Sequence, residues 1–383
     1  MRRLSSWIIF TMRKARVALF IVAIVTPLIA LVFRPAGAQR IESKTKLSAL
    51  PTWDWHPKRW GSYVLAYRAY FNDHFGYRED LIQLHAYLSF KHLSVAGNKK
   101  VLVGKEGWLY LGEYDSAIEC ARRVQPLTSG ELEEWKTLLE RIRDHLQKKG
   151  IRYVFVVTPN KDTIYPEFLP EWVNQVHPQS RLDQLMDYMG EHSDVKMVDL
   201  RPALMAAKSE HPLFFKTDSH WNSLGACVAS EELNRTIREW YPQVEPQVPA
   251  DFSVKAISPS FKGDLLDLGG IGDWVHEEEI VVMPQVPRRA VPEKLTWGEV
   301  GPSSFTPLFA TTKDSPAFPR TVIFRDSFFG AMQPFVSEHF RRAIFVWRSF
   351  DSRVVDQEPC EIVIHQMVER HLMRPPPPAT FGD

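Results

Sequence analysis

KKGIRYVFVVTPNK, residues 148–161, is the stretch that decides the fold. Residues 151–157 are apolar or aromatic except for Arg152, and three of the seven are valine. That composition predicts a strand buried on both faces, which belongs in a parallel sheet covered by helices. Gly150, just before it, is a helix terminator. Further upstream Thr128 and Glu131 stand at capping-box spacing, so a helix over 128–149 feeds the strand.

Working outward, the same unit recurs. A helix is predicted over 181–192 with a strand over 195–200, and a further helix over 225–240. A strand over 321–324 leads into a helix over 328–340, and another strand follows over 343–347. Helices alternating with apolar strands predict a three-layer α/β fold with a mostly parallel sheet. Residues 241–320 hold most of the interior prolines and little periodicity, and read as a long insertion near the strand ends. Residues 101–104 and 108–111 form a hairpin-like pair around Lys105, Glu106 and Gly107. From Tyr63 to Leu93 apolar positions recur at helical spacing, interrupted at Asn72, Asp73 and Gly76, which reads as two helices or a broken one. The four prolines 375–378 predict a polyproline, disordered tail over 371–383. No GxGxxG or Walker pattern and no internal repeat is present.

Composition narrows the function. Hydrophobic content of 44% with 24% charged residues excludes wholesale disorder. A net charge of +1 and no long basic run argue against a nucleic-acid partner. The 12 Trp and 23 Phe are more aromatics than a core requires, and read as a well-filled core ahead of a sugar-stacking groove. Cys120, Cys227 and Cys360 lie far apart with no C-x-x-C, which leaves one disulfide open and offers no zinc or thioredoxin-like motif.

The N-terminus points to export. Arg2, Arg3, Arg13, Lys14 and Arg16 precede an uninterrupted apolar stretch over 17–33. As a helix it spans about 25 Å, at the short end for a bilayer, and the basic residues hold its start in the cytoplasm. The competing reading is a signal peptide cleaved after Ala36, Gly37 and Ala38. The organisation expected is a basic start (1–16), a transmembrane anchor (17–33), a linker (34–60), one α/β domain (61–370) and the tail. The domain would then lie in the periplasm, tethered to the inner membrane.

In an open α/β sheet, ligands sit outside the carboxyl ends of the strands. Three polar segments fall there: 158–161 (TPNK), 217–222 (TDSHWN) and 325–328 (RDSF). Ser327, at a strand-to-helix turn, would have an exposed hydroxyl and helix-end N–H groups nearby, as a nucleophile and its oxyanion require. His220 is the histidine placed to act as its base, and Asp218 can hold that imidazole in the right tautomer. Alternatives stand beside each: Ser327 as a helix cap, and Asp218-x-His220 as a surface turn or metal half-site. For a metal, His211 is the nearest further ligand and completes no motif.

Six segments in order carry a resemblance across nearly the whole exported region: FNDHFGYR (71–78), VGKEGWLY (103–110), TPNK with Tyr165-Pro166, TDSHWN, FKGDL (261–265) and RDSF. The chain resembles the alginate O-acetyltransferase proteins of the AlgJ/AlgX type, which are SGNH-hydrolase-like. The resemblance implies a flavodoxin-like three-layer fold in circularly permuted order, the D-x-H loop preceding the nucleophile. It implies Ser327 as nucleophile, His220 as general base and Asp218 as orienting acid. Arg325 replaces the glycine of the usual G-D-S, as a contact for an anionic group or as half of an ion pair. Asn160 is the candidate oxyanion donor, with capping or a turn as its other role. The implied activity is O-acetyl transfer to an exported polysaccharide, the acetyl being supplied by a membrane-bound O-acyltransferase partner. No metal or diffusible cofactor is required. A polysaccharide O-acetyl esterase with the same triad, or a non-catalytic polysaccharide-binding or assembly protein, fits the same residues.

Overall fold

A computed structural model describes residues 12, 14–22, 24–26, 29, 48–53, 56, 59–75, 77–244, 252–285, 287–293, 309–312 and 316–382. Contacts divide the chain into two compact units, Met1–Leu88 and Ser89–Asp383. The residues between 61 and 88, expected in the α/β domain, therefore fall in the first unit. There α1 (Trp60–His74) ends and α2 (Arg78–Leu93) begins around the expected break. Asp73 anchors the preceding segment by accepting from the Ser48 N–H at 2.9 Å and its hydroxyl at 2.7 Å. Of the apolar stretch 17–33, the described residues 17–22, 24–26 and 29 are helical and the rest lie outside the described set. Among the described residues no helix is long and apolar enough to cross a membrane. Most of the expected linker 34–60 also lies outside them.

The second unit is built on a seven-stranded sheet, and its decisive strand forms as expected. The capping box at Thr128 is complete: Glu131 N–H donates to Thr128 Oγ1 at 3.2 Å, and Thr128 N–H to Glu131 Oε2 at 2.8 Å. It starts α4 (Ser129–Gln147), after the short α3 (Ala117–Arg122). Gly150, at φ +74°, turns the chain into β3 (Arg152–Thr158). Then come α5 (Arg181–His192), β4 (Lys196–Asp199), α6 (Arg201–Ala207) and α7 (Ser223–Arg238). Late in the chain stand β9 (Arg320–Phe324), β10 (Arg342–Val346) and β11 (Ile362–Val368). The sheet order is β4-β3-β11-β9-β10-β8-β7, with the first five strands parallel. The antiparallel strands β7 (Val291–Glu293) and β8 (Phe309–Thr312) extend one edge.

Alternation along the strands makes the three layers. Val154, Val156, Ile323, Ile362 and Ile364 face α6 and α7, packing with Leu204, Ala229, Leu233 and Ile237. Tyr153, Phe155, Val157, Val322, Phe324 and Val363 face α4 and α5, packing with Trp135, Leu139, Leu182 and Leu185. Burying each such side chain contributes about 1.5–3 kcal/mol, so both faces are needed to hold the sheet.

Four expectations change. The central strand β11 is not among the predicted ones, because His365 and Gln366 interrupt its apolar run. Both are buried and satisfied, His365 Nδ1 lying 3.2 Å from the Tyr153 hydroxyl. The helix expected over 328–340 is a chain of short turns, Phe328–Ala331, Gln333–Val336 and Ser337–His339. The 241–320 insertion carries strands: besides β7 and β8, β5 (Phe252–Phe261) pairs antiparallel with β6 (Glu277–Pro284). These frame α8 (Asp264–Leu268), while β1 (Val101–Val103) and β2 (Leu109–Leu111) form the expected hairpin.

Finally, the proline-rich tail is docked rather than disordered. The Thr380 N–H donates to the Phe350 carbonyl at 3.0 Å, and the Thr380 carbonyl accepts from the Ser352 N–H at 2.9 Å. Phe381 lies 5.6 Å from the Phe350 ring, with the Arg141 guanidinium 4.1 Å from its own ring. Prolines lose little backbone freedom on ordering, so one aromatic anchor suffices. Phe381→Ala should cost about 1–2 kcal/mol, read as a lowered melting temperature. An unchanged melting curve would show that the docking contributes nothing.

Candidate active site

The D-x-H loop is fixed by contacts on both sides before it meets Ser327. Asn222 caps α7 through Oδ1, which accepts from the N–H groups of Leu224 and Gly225 at 3.0 Å each. On the other side Glu277 of β6 accepts from the N–H groups of Lys216 (2.8 Å) and Thr217 (2.7 Å) and from the Thr217 hydroxyl (2.5 Å). Gly263 packs so closely that a Cβ there would lie 2.2 Å from the Thr217 carbonyl, which excludes any side chain. Beneath the loop Lys161, only 4% exposed, donates to the carbonyls of Leu109 (2.6 Å), Lys216 (2.8 Å) and Asp218 (2.9 Å). Burial pushes its ammonium down to about 7, against the pull of Glu277, Asp218 and Asp264.

The turn that carries Ser327 is held by Asp326. Its Oδ1 accepts from Phe328 N–H and the Gln366 amide, both at 3.0 Å, and its Oδ2 from Val368 N–H at 2.6 Å. Asp326 thus makes the capping bond, and Ser327 makes none. The Ser327 hydroxyl instead stands 2.8 Å from His220 Nε2, and His220 Nδ1 stands 2.8 Å from Asp218 Oδ1. Trp221 joins the two loops, its indole N–H donating to the Phe328 carbonyl at 3.0 Å. Ser327, His220 and Asp218 are therefore brought together in one hydrogen-bonded line.

The other two expected residues stand apart from that line. Asn160 is buried, with its amide nitrogen 3.5 Å from Cys120 Sγ and its backbone N–H donating to Glu369 at 3.0 Å. Arg325 lies against Trp347. The three cysteines are unpaired.

Asp264 was not singled out from the sequence, although the quoted FKGDL contains it. Its carboxylate accepts from the Ser219 N–H (2.7 Å) and hydroxyl (2.6 Å), and that hydroxyl lies 3.2 Å from His220 Nδ1. Its backbone N–H donates to Asp218 Oδ2 at 2.9 Å. Asp218, His220 and Asp264 also offer ligand atoms within 4.8 Å of one another, the only such metal-type grouping among the described residues. Those atoms are already engaged in hydrogen bonds with one another and with Ser219 and Ser327. Gln366 was missed with its strand, and Lys161 and Glu277 carried no signal beyond membership of a motif or an acidic run.

The electrostatics suit proton transfer. Burial opposes an imidazolium at His220, but the hydrogen bond and charge of Asp218, with the charge of Asp264, outweigh it and raise its pKa. Burial likewise raises Asp218, outweighed by the His220 contact and by N–H donors, so its pKa falls below the ordinary value. Asp264 is raised by burial and by the charge of Asp218. A serine hydroxyl with an oriented imidazole can give up its proton as it attacks a carbonyl.

Fold and site together define an α/β protein of the SGNH-hydrolase-like type. The chain belongs to the family described as SGNH hydrolase-like domain, acetyltransferase AlgX, whose profile matches residues 101–311 and stops short of Ser327. It is 32% identical over 213 residues to the probable alginate O-acetylase AlgJ of Pseudomonas syringae pv. tomato, covering 54% of this chain and 50% of that protein. To the AlgJ protein of Pseudomonas aeruginosa it is 29% identical over 212 residues, with the same coverage of 54% and 50%. The chain thus spans about half the length of the curated relatives it matches. Among solved structures, Bacillus cereus PatB1 shares the fold with a TM-score of 0.52 at 15% identity, covering 72% of this chain and 97% of that one. A DHHW family protein from Eubacterium siraeum gives 0.50 at 16% identity, covering 65% and 87%.

If His220 must be neutral to accept the serine proton, the acylation rate should rise with pH through a midpoint above the ordinary imidazole value of 6.5. Asp218→Asn should lower that midpoint and slow acylation by about 10⁴-fold, as loss of the orienting acid does in serine proteases. Asp264→Asn should cost less, and the double variant should depart from additivity by about 0.5–3 kcal/mol. Stopped-flow pH profiles on the four proteins check this; a midpoint unmoved by Asp218→Asn would remove Asp218 from the role.

Proposed function

We propose that this protein transfers O-acetyl groups to hydroxyls of an exported polysaccharide through an acyl-enzyme on Ser327. The observation that carries the reading is the line from Ser327 through His220 to Asp218, with 2.8 Å at each contact. Membership of the AlgX family and likeness to proteins named as alginate O-acetylases favour transfer over hydrolysis.

In the first step Ser327 Oγ attacks the acetyl carbonyl, His220 Nε2 takes the serine proton and passes it to the departing donor group, and the donor–acyl bond breaks. In the second a sugar hydroxyl attacks the ester, His220 takes its proton, and the bond to Ser327 breaks as the proton returns to Oγ. Asp218 keeps Nδ1 protonated and steadies the transient imidazolium. Asn160 is the candidate oxyanion donor; a 180° turn of its amide would exchange the nitrogen now beside Cys120 for the oxygen. The acetyl comes from a membrane-bound O-acyltransferase partner. With water in place of the sugar, the same two steps make an esterase.

Ser327 gives the direct test. The full-length protein should release nitrophenol slowly from nitrophenyl acetate, with an acetyl mass added to the peptide containing Ser327. Ser327→Ala should abolish both while leaving the melting curve nearly unchanged, since Asp326 caps the turn. Cells carrying the variant should make polysaccharide that lacks acetyl esters. A gain of esters would mean hydrolysis, and an unlabelled Ser327 with unchanged ester content would mean a binding or assembly role.

The anchor belongs to the same reading. Five basic residues before the apolar stretch 17–33 favour a signal-anchor that holds the catalytic unit at the periplasmic face of the inner membrane. The protein should then sediment with inner membranes and resist carbonate extraction. A soluble periplasmic species beginning near Gln39 would show cleavage instead.

A further inference from the structure

The end of β11 touches both sides of the site. Val368 N–H donates to Asp326 Oδ2 at 2.6 Å, next to Ser327. The following residue, Glu369, accepts through Oε2 from the Asn160 N–H at 3.0 Å and from the Thr163 hydroxyl at 2.5 Å. Because β11 lies between β3 and β9, two consecutive residues at its end reach opposite neighbours, Asp326 after β9 and Asn160 after β3. Neighbouring strands lie about 4.8 Å apart, which sets the ends of β3 and β9 about 10 Å from each other. That gap admits an ester group between two side chains.

Glu369 is a costly residue for its place. It is 2% exposed, and among the described residues it takes part in no ion pair, since its neighbour Arg370 turns to Asp115 at 2.7 Å. Burial raises its pKa, opposed by the hydrogen bonds from Thr163 and Asn160. A buried carboxyl without a cation lowers stability, so its gain lies in what it holds.

What it holds has little else to fix it. The Asn160 amide nitrogen has Cys120 Sγ at 3.5 Å, a weak partner, and the amide oxygen is buried with none. Turning the amide exchanges the two atoms and leaves the nitrogen unmet instead. Either way one end of a buried amide lacks a partner, and the backbone bond to Glu369 sets where that end points. Thr163 closes the same turn, its N–H donating to the Asn160 carbonyl at 3.2 Å while its hydroxyl meets the Glu369 oxygen.

We infer that Glu369 is a positioning residue, which through the Asn160 N–H holds the Asn160 amide where it donates to the oxyanion formed as Ser327 is acylated. The inference rests on the acyl-transfer reading above. No bond forms or breaks at Glu369; it accepts the same two hydrogen bonds throughout. Its acceptor oxygen is the working part, so glutamine can replace it and a side chain of similar size without an acceptor cannot.

The experiment compares the full-length protein with Glu369→Gln, Glu369→Met, Asn160→Ala and the Glu369→Met/Asn160→Ala pair. Glu369→Met should slow acylation of Ser327 by nitrophenyl acetate about 10–100-fold, through kcat with KM unmoved, since losing an oxyanion donor outright costs about 10²–10³-fold. Glu369→Gln should stay within about threefold of the parent. In the Asn160→Ala background Glu369→Met should add less than about twofold, whereas a merely structural residue would slow both backgrounds alike. Hydrogen exchange in the peptide covering residues 159–163 gives a readout independent of activity, faster in Glu369→Met and restored in Glu369→Gln. If Glu369→Met does not fold, Glu369→Asp, whose carboxyl is withdrawn by one methylene, takes its place with the same expectations. Equal slowing in both backgrounds overturns the role, and so does exchange at 159–163 that ignores the substitution. A parent protein whose Ser327 takes no acetyl group overturns the acyl-transfer reading and this inference with it; a labelled Ser327 with equal slowing overturns this inference alone.

Discussion

Three backbone carbonyls, from Leu109, Lys216 and Asp218, converge on the buried ammonium of Lys161, one for each of its protons. An ammonium directs those protons tetrahedrally, so the contact fixes hairpin, strand end and D-x-H loop relative to one another. The rings of Trp108 and Tyr110, 5.1 and 5.2 Å from Nζ, wall it off. Three of the motifs quoted from the sequence, VGKEGWLY, TPNK and TDSHWN, meet at this one group. A buried cation is tolerable here because Glu277, Asp218 and Asp264 all lie close enough to favour it. Two of those acids, Asp218 and Asp264, also tip His220 toward its protonated form.

A second clamp serves the turn that carries Ser327. Gln366 accepts from the Asp326 N–H at 3.0 Å through its amide oxygen. Through its amide nitrogen it donates to Asp326 Oδ1 at 3.0 Å and to Thr158 Oγ1 at 2.9 Å. It thereby ties the ends of β3, β9 and β11 into one rigid edge. The D-x-H loop and the Ser327 turn are thus each locked to the sheet, and the His220–Ser327 hydrogen bond spans two fixed supports. That pre-organisation lets a 2.8 Å contact persist between residues 107 positions apart.

Local signals were readable where one principle governed. The capping box at Thr128, Gly150 at the helix end and the apolar run of β3 each follow from a few neighbouring residues. The line itself was legible because D-x-H and D-S segments both fall at strand ends, where ligands gather in such sheets. What escaped depended on long-range pairing. β11 carries His365 and Gln366 at its middle, and only Tyr153, Thr158 and Asp326, distant in sequence, make them acceptable in a core. The helix expected after Ser327 breaks into short turns, so helix-end polarity at Ser327 is weaker than the sequence suggested. Ser327 proved free of the capping role because its neighbour Asp326 had taken it, a distinction no pattern of residue types can make.

The order of the chain gives the long insertion its purpose. With the D-x-H loop ahead of α7 and Ser327 after β9, about a hundred residues must connect the two. A connection of that length need only close a loop, at an entropic cost that grows slowly with length. Here it also supplies Glu277, which holds the backbone of Lys216 and Thr217, Gly263, which admits the Thr217 carbonyl at a distance no side chain would allow, and Asp264, which reaches Ser219 beside His220. The insertion is therefore half of the mould in which the loop is cast. Part of it, β7 and β8, extends the edge of the sheet, while β5, α8 and β6 carry the three residues that hold the loop.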